Sequence, residues 1–132
     1  MEIEELFQKV TQSRRAGKEL IIGNLNVLFP NGEKIIQLNK TNELKLGEEQ
    51  GENEYKEGNI IHDARNYYYL KMLGTPDWRY VGESSDRSNK YELVVPIDQL
   101  TDRGVYLVAG ILYGENDKGV YFSSGTCQFE IE

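Results

Sequence analysis

The feature that most constrains the fold of this chain is the segment 100–108, where a polar turn leads directly into an apolar run. The turn and the first residues of the run have the pattern D-x-G-x-Y, formed by Asp102, Gly104 and Tyr106. We expect the ring of Tyr106 to lie in the core beneath the turn while its hydroxyl bonds to a backbone group a few residues upstream. A tyrosine held in this way locks the crossover between two β layers.

Short apolar or alternating segments separated by turn signals make up most of the chain. Asn31 and Gly32 can take the positive φ angles of a tight hairpin, so the segments on either side of them are predicted to pair. Gly125 predicts a bulge or bend inside the last apolar segment. Strands at intervals of roughly 8–12 residues are typical of an all-β sandwich. The predicted strands are 19–22, 25–29, 34–38, 43–46, 66–73, 78–81, 90–95, 105–113, 120–124 and 126–131.

The N-terminal segment has the apolar spacing of an amphipathic helix over residues 2 to 15. Glutamates at its start and Arg14 and Arg15 at its end complement the helix dipole, and Gly17 suits the position after the cap. We therefore divide the chain into a helical arm, 1–17, and a β-sandwich, 18–132. The apolar stripe either packs on the domain's own sheet or docks on a partner or another copy. The candidate docking residues are Ile3, Leu6, Phe7 and Val10.

An aromatic segment at 66–73 is predicted to send odd-numbered and even-numbered side chains to opposite faces. The even-numbered set, Tyr68, Leu70 and Met72, is purely core-like. The odd-numbered tyrosines and the following Trp hairpin either form core contacts or an exposed face suited to sugars or proteins. The candidate recognition residues are Tyr67, Tyr69, Trp78 and Tyr80.

An acidic, glycine-containing segment at 47–59 is predicted to be a solvated loop. It is followed by His62 and Asp63, but the spacing matches neither a calcium loop nor a zinc site. We expect no metal and no cofactor. If the loop mimics a phosphate backbone, the protein acts instead as a small acidic inhibitor or ligand-sequestering protein in host–phage conflict.

Composition limits the remaining classes of function. The chain has 132 residues with a net charge of -7, which fits one domain and disfavours binding to nucleic acid. No apolar run is long enough to span a membrane, and the acidic N-terminus lacks the features of a signal peptide, so we expect cytoplasmic synthesis. Cys127 is the only cysteine and is expected to be a small buried hydrophobe. With one histidine and no G-x-S-x-G or P-loop pattern, the protein is predicted not to be an enzyme.

From residue 67 onward, an aromatic strand, a tryptophan, the patterns Y-x-L-x-V-P and L-x-D-x-G-x-Y, a hairpin and F-x-I follow in order. This order resembles Ig-like modules of bacterial surface and regulatory proteins, including the triple-tyrosine type, and of tailed-phage virions. It is also similar to the N-terminal sandwich of phage baseplate upper proteins. The resemblance implies an Ig-like antiparallel β-sandwich, although Val108 stands where true Ig domains have their second core cysteine. It also implies a non-catalytic structural or binding module, such as a virion accessory or adaptor protein docking through its helix. The alternatives are the acidic inhibitor and a carbohydrate-binding module using the Tyr/Trp face.

Overall fold

The computed structural model describes residues 1–50, 64–97, 102–117 and 119–132. Over these residues the chain is mainly β with one N-terminal helix, as the sequence predicts. In chain order the elements are α1 (Ile3–Arg15), β1 (Glu19–Ile22), β2 (Leu25–Val27), β3 (Ile35–Ile36), β4 (Glu43–Leu46), β5 (Glu48–Gln50), β6 (Arg65–Met72), β7 (Arg79–Ser84), β8 (Leu93–Pro96), β9 (Gly104–Glu115) and β10 (Gly119–Ile131).

The main sheet has the strand order β1-β10-β9-β6-β7, and β3 also pairs with β10. β9 is antiparallel to both of its neighbours, β10 and β6. β1 and β3 run parallel to β10, against its start and its end respectively. Since β9 occupies the other side of β10, these two short strands share one outer edge of the sheet.

Both faces of the main sheet are covered. Helix α1 packs on one face, which we call the helix side. The two-stranded sheets β2–β5 and β4–β8 pack on the other face, which we call the inner side. β6 supplies both cores by the predicted alternation, with Tyr67 and Tyr69 on the helix side and Tyr68 and Leu70 on the inner side.

The corner predicted from D-x-G-x-Y is present. The side chain of Tyr106 is buried, and its hydroxyl donates a hydrogen bond to the backbone carbonyl of Asp102. Gly104 has φ +145°, a backbone conformation that side-chain-bearing residues rarely adopt. Only four residues separate donor from acceptor, which explains why the pattern alone predicts the contact.

The predicted hairpin around Asn31 and Gly32 is wrong, although both residues do have positive φ angles. β2 pairs with β5, and β3 pairs with β10. The chain between them forms a 3₁₀ turn at Pro30–Gly32, and the Asn31 side chain bonds to the backbone of Glu43 and Lys45. The turn therefore carries the chain from the inner layer back to the edge of the main sheet.

Three other predicted features of the β region differ in detail. β10 continues through Gly125 in unbroken register with β9, so the predicted bulge or bend is absent. The strand after the Trp hairpin runs to Ser84, and β8 begins only at Leu93. Cys127 is half-buried rather than fully buried; it lies opposite Val108 in the β9–β10 pair, and burial raises the pKa of its thiol.

The helix has the predicted charge order and ends in a turn at Gly17, where φ is +86°. The predicted boundary between arm and sandwich falls in this turn. Residues on both sides of the boundary share one hydrophobic cluster on the helix side. No helix in the described part of the chain is long and apolar enough to cross a membrane.

Candidate functional site

The predicted docking stripe of helix α1 is largely used inside the molecule. Leu6 is completely buried, and Ile3 and Val10 are half-buried against the helix side of the main sheet. Phe7 is the exception, because 51% of it is exposed. Of the two alternatives for the stripe, Ile3, Leu6 and Val10 follow packing on the domain's own sheet, and only Phe7 is left with a largely exposed side chain.

The C-terminal end of the helix is fastened by polar contacts. The hydroxyl of Ser13 donates to Glu115 Oε2 at 2.8 Å, and Lys18 Nζ lies 3.3 Å from the same oxygen. The Ser13 hydrogen bond and the Lys18 cation lower the pKa of the Glu115 carboxyl. These contacts join α1 to the end of β9, so the helix is held at its end as well as through Leu6.

The predicted aromatic recognition face is not exposed as a unit. Tyr67 and Tyr69 are buried beneath helix α1, and the Tyr69 hydroxyl donates to the Met1 carbonyl at 2.6 Å. Trp78 and Tyr80 are half-buried at the rim of the same cluster. The aromatic strand and the amphipathic helix bury each other in one hydrophobic cluster.

An apolar patch remains beside the helix, formed by the exposed side chains of Phe7 and Ile22 and the half-buried ring of Phe122. The rings of Phe7 and Phe122 have centroids 5.7 Å apart. Ile22 lies opposite Phe122 in the parallel β1–β10 pair, and 72% of it is exposed. Nothing in the sequence marks Ile22 and Phe122 as surface residues, because each belongs to a strand segment with the apolar pattern of a core strand.

The outer edge of β10 is open next to this patch. The Gly23 N–H donates to the Phe122 carbonyl at 3.1 Å, after which the chain leaves the edge. Pairing resumes where the Glu130 N–H donates to the Lys34 carbonyl at 2.9 Å. In between, β2 crosses the inner side at Gly125, where the Leu25 carbonyl closely approaches the glycine. The edge from Ser124 to Gln128 thus has no paired strand among the described residues.

The acidic segment does not begin as the predicted solvated loop. Residues 48–50 form β5, and Glu48 is only 1% exposed. Glu49 forms an exposed ion pair with Lys90 at 2.9 Å. Residues 51–59, together with His62 and Asp63, lie outside the described residues. Within the described ranges, no three His, Cys, Asp or Glu side chains form a group that could hold a metal.

An open groove of about 1170 Å³ lies beside the 3₁₀ turn, between β3, β4 and the segment before β8. Lysines and glutamates both line it, and Phe29 and Ile35 contribute exposed apolar surface. Because charges of both signs line it, the groove does not favour a strongly anionic or a strongly cationic ligand. Its charged lining residues are Glu33, Lys34, Lys40, Glu43, Lys45, Glu49, Lys90, Glu92 and Glu132.

Neither known protein families nor curated proteins give a match to this sequence. Among solved structures, the fold is similar to part of BA0330 from Bacillus anthracis, a protein described as a polysaccharide deacetylase. The similarity has a TM-score of 0.52 at 9% sequence identity and covers 82% of this chain. The chain spans only 29% of the length of that protein, so the likeness concerns the fold of one part of it.

Proposed function

We propose that this protein is a non-catalytic binding module that attaches to a protein partner through the apolar patch of Phe7, Ile22 and Phe122. The observation that carries the proposal is the contrast between neighbours on α1. Leu6 is completely buried, whereas Phe7 remains half-exposed and packs at its edge against the half-buried ring of Phe122. Adjacent exposed aromatic and aliphatic side chains are a common feature of protein interfaces.

The patch changes the docking surface expected of the helix, because it combines one helix residue with residues of the main sheet. Only the outer surface of α1 is available, so the partner would contact Phe7 together with the edge of the main sheet at Ile22. The buried positions of Tyr67 and Tyr69 disfavour the alternative of a glycan platform. The burial of Glu48 removes one carboxylate from the acidic surface that an inhibitor would use.

We also propose that the β layers form an Ig-like sandwich and that the protein serves as an accessory or adaptor of a phage virion. The buried Tyr106 corner supports the first part, because this contact locks a crossover between layers. The resemblance of the segment from residue 67 onward supports the second part. An experimental structure of a complex would test both.

The test of the docking surface uses the purified products of the genes adjacent to its own. Each is mixed with the protein, and complex formation is measured by light scattering and by titration. We expect one of them to bind, with an affinity at least tenfold weaker for Phe7→Glu and for Ile22→Lys. Gln8→Glu adds the same charge one residue away on an exposed position and should leave binding unchanged. Binding that survives Phe7→Glu, or no binding by any of these proteins, contradicts the proposal.

A further inference from the structure

We propose that the open edge of β10, from Ser124 to Gln128, accepts an extended segment of a protein partner as an added strand. This inference rests on the proposed function in that the ligand is a protein. It adds the conformation of the partner segment and a second recognition element, the β10 edge, which adjoins the apolar patch at Ile22. The edge lies between β1 and β3, so the added strand would bridge these two short strands.

The main-chain groups of the edge are arranged for such a strand. Phe122 and Glu130 turn their main-chain groups outward, toward Gly23 and Lys34. Backbone direction alternates along a strand, so the even-numbered residues between them also face outward. They are Ser124, Thr126 and Gln128, all of which are exposed and are not paired on that side with any strand of the described residues. Each offers one N–H donor and one carbonyl acceptor.

The length of the gap along β10 favours a short extended segment. Phe122 and Glu130 are eight positions apart, which at ~3.3 Å per residue gives a distance of ~26 Å along the strand. About five extended residues fit between the turns at Gly23 and Lys34. A second copy cannot add its own β10 in antiparallel register about Thr126. In that arrangement, residues at the end of the incoming β10 would occupy the space already taken by β1. The gap between β1 and β3 therefore suits a short extended segment and does not suit a β10–β10 pair of two copies.

The residues at the two ends of the gap also favour particular side chains in the added strand. Ile22 and Ile35 lie at its two ends on the helix side, since they are the register partners of Phe122 and Glu130. Both are exposed, by 72% and 45% respectively. An added strand would place one side chain next to each isoleucine and one midway, beside Thr126. The favoured segment thus has apolar residues four positions apart, with a short polar residue between them.

The experiment uses a phage-displayed library of random seven-residue peptides selected on the immobilised protein. We expect the selected peptides to share two apolar residues four positions apart. A synthetic peptide of the consensus sequence should bind at least tenfold more weakly to Thr126→Pro, which removes the outward N–H. Proline is tolerated at such an edge position, and a thermal unfolding scan checks the fold. Thr126→Val keeps the N–H and should bind within about threefold of the original protein.

Amide hydrogen exchange gives a second measurement. The amides of Ser124, Thr126 and Gln128 should exchange rapidly in the free protein and become protected when the peptide binds. The absence of selected peptides, equal binding to Thr126→Pro and Thr126→Val, or unchanged exchange of these amides would each overturn the inference. A peptide that also makes the protein dimerise in light scattering would overturn it too, because the segment would then act between copies.

Failure here is distinguishable from failure of the proposed function. If a neighbouring-gene product binds through Phe7 but binds equally to Thr126→Pro, the docking patch stands and the added strand does not. If the consensus peptide binds the edge while no neighbouring-gene product depends on Phe7, the edge stands and the patch does not.

Discussion

Gly110 lies directly opposite Gly125 in the β9–β10 pair, on the inner side of the main sheet. The two glycines leave a hollow that side chains of β2 and β5 enter. A Cβ on Gly110 would lie 3.2 Å from Val27 and 3.3 Å from the Glu48 carboxylate. A Cβ on Gly125 would lie 2.9 Å from both the side chain and the carbonyl oxygen of Leu25. This glycine pair lets the inner layer approach the main sheet closely.

Substitution of Gly125 tests the hollow. Gly125→Ala places a methyl group against the backbone oxygen of Leu25, so it should lower the free energy of unfolding by about 1–3 kcal/mol in urea denaturation. Gly47→Ala is the matched control, because its Cβ would find only ordinary contacts at 3.6 Å. It should be neutral or stabilising by less than about 1 kcal/mol. Equal effects of the two changes would show that the hollow is unimportant.

The anchoring of helix α1 predicts opposite behaviour at neighbouring positions. Leu6→Ala removes a completely buried side chain and should cost about 2–5 kcal/mol of stability. Phe7→Ala changes a half-exposed residue and should cost about 1 kcal/mol or less. Urea unfolding followed by circular dichroism measures both. A small effect of Leu6→Ala would mean that the helix is not held on the sheet in solution.

The Tyr106 corner predicts that loss of the Tyr106 hydroxyl lowers stability more than loss of the Asp102 carboxylate. Tyr106→Phe removes the hydrogen bond to the Asp102 carbonyl and should destabilise the protein by about 0.5–1.5 kcal/mol. Asp102→Ala retains the accepting carbonyl, so its effect on stability should stay within about 0.5 kcal/mol. Thermal and urea unfolding of the two variants would check this order. A larger loss of stability for Asp102→Ala would mean that the Asp102 carboxylate, and not the Tyr106 hydroxyl, stabilises the corner.

The buried tyrosines predict alkaline destabilisation. Burial raises the pKa of Tyr68, and the Glu48 carboxylate raises it further; burial likewise raises the pKa of Tyr69 and of Tyr113. An unfolded tyrosine ionises near pH 10, so above about that pH the unfolded chain binds fewer protons than the folded protein. Stability that is fully present below pH ~10 should therefore fall as the pH rises further. Urea midpoints between pH 8 and pH 11 measure the fall.

The tyrosine variant Tyr68→Phe provides the control for this pH dependence. It should be less stable at neutral pH, because the hydroxyl that donates to the Tyr91 carbonyl is lost. Its stability should fall less steeply above pH 10 than that of the original protein. Parallel curves for the two proteins would show that Tyr68 does not contribute to the alkaline transition.

Local patterns in the chain predict much of the fold. The turn before Tyr106 and the alternation of residues 66–73 depend on neighbours in sequence, so both are read correctly. The partners of β2 and β3 are not predicted correctly from the sequence. Their adjacency in sequence favours a hairpin, but β2 pairs with β5 in the inner layer and β3 pairs with β10 at the edge of the main sheet. Glu48 is misread for a related reason, since a glutamate in an acidic run carries no local sign of burial.

The sequence by itself determines a mainly β chain with an amphipathic N-terminal helix and a tyrosine corner, because periodicity and turn chemistry act over a few residues. Only the tertiary structure decides which apolar side chains remain exposed to solvent. Helix α1 and the aromatic strand bury each other, so Leu6 and Tyr69 leave the surface while Phe7 and Ile22 remain on it. Surface exposure depends on contacts between distant segments, and those contacts form only when the layers pack together.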